Sequence, residues 1–165
     1  MPPAANQFLR ELTAVGRMHG PGRMLDWWYE GRLDIASLRA VIIDVWSSAD
    51  RPEALIGRPD WIELFHSCGF VSDNGAGRPT TMLTLFRGST WAHRRRMAWT
   101  TDIDQARKFA ARRARAGAQA HVFEAAIDPS AVLAVVEHAR HESEVVVDPS
   151  CLPPIRRTSI LESIT

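Results

Sequence analysis

The strongest constraint on this fold is the stretch from Ser72 to Thr80, which contains Asp73-Asn74-Gly75-Ala76-Gly77-Arg78-Pro79. Glycines, an Asp-Asn pair and a proline in so short a span cannot continue a helix, so the chain must change character there. Before it, apolar residues recur at helical spacing. Phe8, Leu9, Leu12 and Val15 predict a helix over Gln7 to Met18, which a Gly20-Pro21-Gly22 break should end. Asp34 can cap a second helix whose Ile35, Leu38, Ile42, Val45 and Trp46 form a broad apolar face, ending near Ser47 to Asp50. Pro59 and Asp60 can open a third, with Trp61, Leu64 and Phe65 on one side and Gly69 at its close.

Beyond the linker the apolar stretches become short and β-branched. Thr81 to Phe86, Met97 to Thr100 and His121 to Ala126 are expected as strands, with a helix over Asp102 to Arg115. Val132 to Val136 and Val145 to Val147 read as further strands. A chain of 165 residues suits one domain. Its expected class is α+β: a helical region over 1–72 capping a mixed-sheet core over 81–150, with no internal repeat.

Composition narrows the function classes. No apolar run approaches the length of a membrane span, and Met1-Pro2-Pro3-Ala4 lacks the basic start and apolar stretch of a signal peptide. A cytoplasmic protein without a membrane partner is expected. Cys68 and Cys151 have no second cysteine at metal-ligand spacing and cannot build a disulfide framework, so both read as reduced and structural. Lys108 is the one lysine among 20 basic residues, a usage that fits a GC-rich coding sequence and makes arginine content poor evidence for nucleic-acid binding. The net charge of +1 hides an asymmetry: nine Arg or Lys against two acids from Arg87 to Arg115, then six acids against Arg140 from Glu124 to Asp148.

Polar residues mark the edges of three expected strands: Arg87 after Leu83-Thr84-Leu85-Phe86, Thr100 and Thr101 after Trp99, and Glu142 with Glu144 before Val145-Val146-Val147. Each alone has a plain explanation as an edge charge, a helix cap and a polar turn. Together, Leu85-Phe86-Arg87-Gly88, Trp99-Thr100-Thr101-Asp102 running into Ala106-Arg107-Lys108-Phe109-Ala110, and Glu142-Ser143-Glu144-Val145 resemble the arginine, serine-threonine-serine, glutamate-x-glutamate pattern of the toxin-related ADP-ribosyltransferases. Asp128-Pro129-Ser130-Ala131-Val132-Leu133-Ala134 is similar to the family's strand before the glutamates, and short bacterial and phage-encoded members show similar text over Leu83 to Asp148.

The resemblance implies a split mixed β-sheet core and a mono-ADP-ribosyltransferase that consumes NAD⁺ as substrate, releases nicotinamide and needs no metal. Glu144 would stabilise the positive charge that develops on the ribose and accept a hydrogen bond from its 2′-hydroxyl. Arg87 would hold the pyrophosphate or ribose side through forked hydrogen bonds. Gly88 would let the backbone approach the nicotinamide amide. Thr100 and Thr101 would orient Glu144 and shape the nicotinamide pocket. Glu142 shares a side with Glu144 only if the segment is extended; a glutamate there accompanies arginine acceptors in the family, which makes a protein arginine the leading acceptor.

The chain departs from the family at Trp99, which stands where the first serine is usual. Either Thr100 replaces that hydroxyl or Trp99 packs against the nicotinamide as a platform, unless it is a core residue. The basic run from His93-Arg94-Arg95-Arg96 to Arg115 could bind NAD⁺ phosphates, an acidic protein or nucleic acid, or be a solvated face. His138, His141, Glu142 and Glu144 lack a familiar metal-ligand spacing, and no glycine-rich phosphate loop, zinc-protease helix or nucleophile elbow occurs. Two other functions fit the sequence: an NAD⁺ glycohydrolase of the same fold, and a non-catalytic module that binds nucleic acid or protein through the basic face and Trp27, Trp28, Trp46 and Trp61.

Overall fold

A computed structural model of the chain describes residues 1–137 and 143–158. In chain order these form α1 (Pro3–Val15), α2 (Gly20–Tyr29), α3 (Ile35–Ser48), α4 (Pro52–Leu55), α5 (Arg58–Cys68), β1 (Val71–Ser72), β2 (Leu83–Thr90) and β3 (Ala98–Thr100). There follow α6 (Ile103–Arg115), β4 (Ala120–Ile127), β5 (Val132–Val136), β6 (Glu144–Val147) and β7 (Arg156–Arg157). The class is α+β, with both parallel and antiparallel strand pairs. The chain divides into two compact units at Arg78 and Pro79, inside the turn-rich linker. The described part of Leu133–His141 belongs with the N-terminal unit rather than with the later strands.

The N-terminal unit is built on helices, with β1 paired in parallel to β5 through Val71–Ala134 and Ser72–Val135. The expected break at Gly20-Pro21-Gly22 is instead the first turn of α2. Gly16, at φ +81°, ends α1, and Pro21 sits where a helix has no use for its missing N–H. Gly20 is buried against α1, where a Cβ would lie 2.6 Å from Leu12 Cδ1 and the leucine tip would have to shift to admit it. Helix α3 begins as read, with Asp34 accepting from Ser37 N at 2.7 Å. Trp46 of α3 meets Trp61 edge-on at 4.9 Å and Phe65 at 5.6 Å, while Phe8 meets Trp27 at 5.3 Å. Trp27, Trp46 and Trp61 are therefore core residues, and Trp28 is half-buried.

The cap makes α3 sensitive to acid. The bond from the Ser37 backbone N–H holds the Asp34 carboxyl below its ordinary value of 3.8. A depressed carboxyl contributes stability that is present above the unfolded-state value and lost as pH falls through the folded one. Asp34→Asn keeps an acceptor without titrating, so its Tm should fall less steeply than that of the wild type as pH drops below 4. Scanning calorimetry across that range checks it, and parallel curves would contradict it.

In the second unit the strand order is β6-β3-β2-β4-β7, antiparallel throughout. Strand β2 does not stop at Phe86 but runs through Arg87 and Gly88 to Thr90, paired along its whole length with β4 from Leu83–Ile127 to Thr90–Ala120. Polar residues at its end still alternate faces and satisfy the ladder, so polarity alone misplaced that boundary. Helix α6 packs on β2 and β4, with Asp102 as its cap, accepting from Asp104 N and Gln105 N. Asp128-Pro129-Ser130 and Asp148-Pro149-Ser150 make the same short turn, each aspartate accepting from the serine N–H and hydroxyl. They fix the exits of β4 and β6.

Candidate active site

The strand order brings segments far apart in sequence onto neighbours. Glu144 opens β6 and is in register with Thr100, the last residue of β3; Thr100 is in turn in register with Phe86 of β2, next to Arg87. Glu144 and Thr100 are 7% and 5% exposed. A cross-strand pair shares a face, so the carboxylate and hydroxyl lie side by side in a largely desolvated place. Thr100 Oγ1 also accepts from Asp102 N at 3.0 Å, which ties the hydroxyl to the turn into α6. Thr101 is exposed, and its backbone N–H donates to Ser143 O at 3.3 Å, joining the two site segments a second time.

Ser143 is the feature that the sequence did not announce. At φ +47° it is the non-glycine residue with positive φ among those described, and it immediately precedes Glu144. A serine held in the left-handed region stores strain of about 1–3 kcal/mol, which persists where surrounding contacts over-determine the backbone. The backbone is not extended at Ser143, and Glu142 lies outside the described residues.

Arg87 lies within β2 rather than beyond its end, and alternation puts it on the face opposite Phe86, Thr100 and Glu144. Strand β3 follows β6 throughout but meets β2 at the Phe86–Thr100 pair. Next to that pair the Arg87 guanidinium bonds β3 directly: Nη1 donates to Ala98 O, and Nε donates to His93 O at 3.0 Å. Arg87 thus braces β3 and the loop leading into it. Arg87→Ala should lower stability by about 1.5–3 kcal/mol, the worth of hydrogen bonds from a charged donor, and Arg87→Lys should restore little because an ammonium has no fork. Urea unfolding measures both, and unchanged midpoints would remove the bracing role.

Gly88 faces α6: a Cβ there would stand 1.9 Å from Ala106 O and 2.6 Å from Ala110 N. Its first task is to admit the helix. Trp99 is 2% exposed, in register with Val145, and its Nε1 donates to Arg96 O at 2.8 Å. It is a packed core residue with its polar atom satisfied, which leaves no open ring face for a platform. The basic run is divided: Arg95 donates to Leu152 O and Pro153 O and Arg107 pairs with Asp104, while Lys108, Arg112, Arg113 and Arg115 are exposed along α6.

Both cysteines are free. Burial pushes the Cys68 thiol up to about 11, which makes it a poor nucleophile at neutral pH, and Cys151 is exposed. Among the described residues no group of three or more His, Cys, Asp or Glu is placed to hold a metal ion, and no helix is long and apolar enough to cross a membrane. Comparison with protein-family models, with curated proteins and with solved structures finds no match to this chain.

Proposed function

We propose that the chain is a mono-ADP-ribosyltransferase, built on the split-sheet core of that family, that moves ADP-ribose from NAD⁺ to a macromolecular acceptor, first of all a protein arginine. One observation carries this reading. The arginine, threonine and glutamate segments that resemble the family's motifs fall on adjacent strands in the order β2, β3, β6, with Thr100 and Glu144 directly paired.

The chemistry asks for little more than a fixed carboxylate. The bond between ribose C1′ and the nicotinamide nitrogen breaks with its electron pair leaving on nicotinamide, and positive charge develops on the ribose. A buried, pre-positioned Glu144 carboxylate would stabilise that charge more than it stabilises the ground state. The acceptor nitrogen then attacks C1′ and gives up a proton. By the resemblance Glu142 takes it. Thr100 would orient the carboxylate, and Arg87 would act by holding β3 in place as well as through charge near the NAD⁺ phosphates.

The exposed cations of α6 support attraction of an anionic substrate or acceptor. Incubation with labelled NAD⁺ and bacterial lysate, followed by mass spectrometry, tests the whole reading. Label on arginine side chains is the expected result. Free ADP-ribose formed without an acceptor would make the chain a glycohydrolase instead. Neither transfer nor nicotinamide release from folded protein would contradict both, and salt-dependent nucleic-acid binding untouched by Glu144→Gln would then favour the non-catalytic module.

A further inference from the structure

Trp91 follows β2 and is 60% exposed, whereas Trp27, Trp46, Trp61 and Trp99 are buried. The turn that carries it is pinned. Arg94 Nη1 donates to Trp91 O at 2.6 Å, Thr90 Oγ1 and His93 Nδ1 share a bond at 3.1 Å, and Arg95 Nη2 donates to Leu152 O at 2.9 Å. An indole held in water by so ordered a turn is available for a ligand, because little ordering is left to do on binding.

Its surroundings have one chemical character. The Arg94 guanidinium lies 3.8 Å from the Trp91 ring centroid, and the Phe123 ring lies 5.9 Å from it. His121 meets Phe123 at 6.1 Å, and the exposed Arg157 is in register with Phe123 on β7. The nearest acid along β4, Glu124, is paired with Arg156 and alternates to the opposite face. This surface therefore joins a π-face, two guanidinium groups and an imidazole, with no carboxylate at those strand positions.

We propose that Trp91, Arg94, His121 and Arg157 form a nucleotide subsite, in which a nucleobase stacks on the Trp91–Arg94 pair and the adjoining phosphate is held by Arg157 and His121. Stacking on aromatic rings and guanidinium planes, next to cations that meet the backbone, is how proteins hold unpaired nucleotides. The same chemistry is offered by the adenylate half of NAD⁺ and by a single nucleic-acid strand. Binding here does not depend on NAD⁺ cleavage at Glu144.

The test is a titration of the full chain with AMP, following acrylamide quenching of the one strongly exposed tryptophan. AMP should protect Trp91, with Arg94→Ala and Arg157→Ala each weakening half-saturation about tenfold, and Glu144→Gln having no effect. Trp91→Leu should abolish the heat of AMP binding in calorimetry while its unfolding midpoint stays unchanged. Protection by AMP and NAD⁺ but not by a short deoxyadenylate oligonucleotide supports the subsite as part of NAD⁺ recognition. Tighter, steeply salt-dependent protection by the oligonucleotide supports it as a strand-binding site. Unchanged quenching with millimolar AMP and with the oligonucleotide, or wild-type affinity in both arginine variants, would overturn it.

Discussion

Glu144→Gln is expected to lower nicotinamide release from NAD⁺ by about 10²–10³-fold, the size of losing one pre-positioned electrostatic group. The change keeps the shape of the side chain and its capacity to accept a hydrogen bond, and removes the charge. Glu144 is nearly buried at the first position of β6 and paired with Thr100. Its field is therefore poorly screened, and its position is set by the ladder rather than by a mobile loop. The loss should appear in kcat more than in KM, since the carboxylate acts on charge that exists in the transition state. Chromatographic assay of nicotinamide, with circular dichroism to confirm folding, separates this from unfolding. A folded variant that kept wild-type turnover would remove Glu144 from the chemistry.

Gly88→Ala is expected to destabilise the protein by about 1–3 kcal/mol through overpacking. The added methyl would stand 1.9 Å from Ala106 O and 2.6 Å from Ala110 N, and both are backbone atoms of α6. No side-chain rotation relieves such a clash, so α6 must lift from β2. The helix starts two residues after Thr101, and Asp102 N donates to Thr100 Oγ1, so the shift would also disturb the hydroxyl beside Glu144. The resemblance alone gives Gly88 a different task, close approach of the backbone to nicotinamide. Urea unfolding distinguishes the two. A lowered midpoint follows from helix packing, whereas an unchanged midpoint with a raised KM for NAD⁺ would leave substrate approach as its only role.

Elements with a local cause were legible in the sequence. Asp34 announces α3, and Thr101-Asp102 announces α6, with Asp102 the cap of the two, because a short acceptor side chain before a periodic segment satisfies N–H groups the helix cannot. The linker over Ser72 to Thr80 was legible for the same kind of reason, and the two compact units divide inside it. Helix α2 was not, because Gly20-Pro21-Gly22 has the same composition whether it breaks a helix or begins one, and here it is the first turn of α2 with Pro21 in a position that needs no N–H. The strands β1 and β7 are two residues each and owe their existence to their partners β5 and β4.

At the site the division is similar. The adjacency of Thr100 and Glu144 follows the order of the motifs, but the facing of Arg87 depends on β2 continuing past Phe86. Two buried roles, Trp99 against Val145 and Gly88 under α6, arise from packing that no spacing encodes. Ser143 has neither the glycine nor the asparagine that commonly marks a left-handed position, so its φ of +47° carries no signature in the chain.

Nicotinamide release from NAD⁺ by the purified, folded chain, measured with and without an arginine-containing protein acceptor, tests the assignment most directly. NAD⁺-dependent release that far exceeds one equivalent per chain and is accelerated by the acceptor is the expected result. No release above the spontaneous rate under either condition, from a sample with a cooperative unfolding transition, would contradict it.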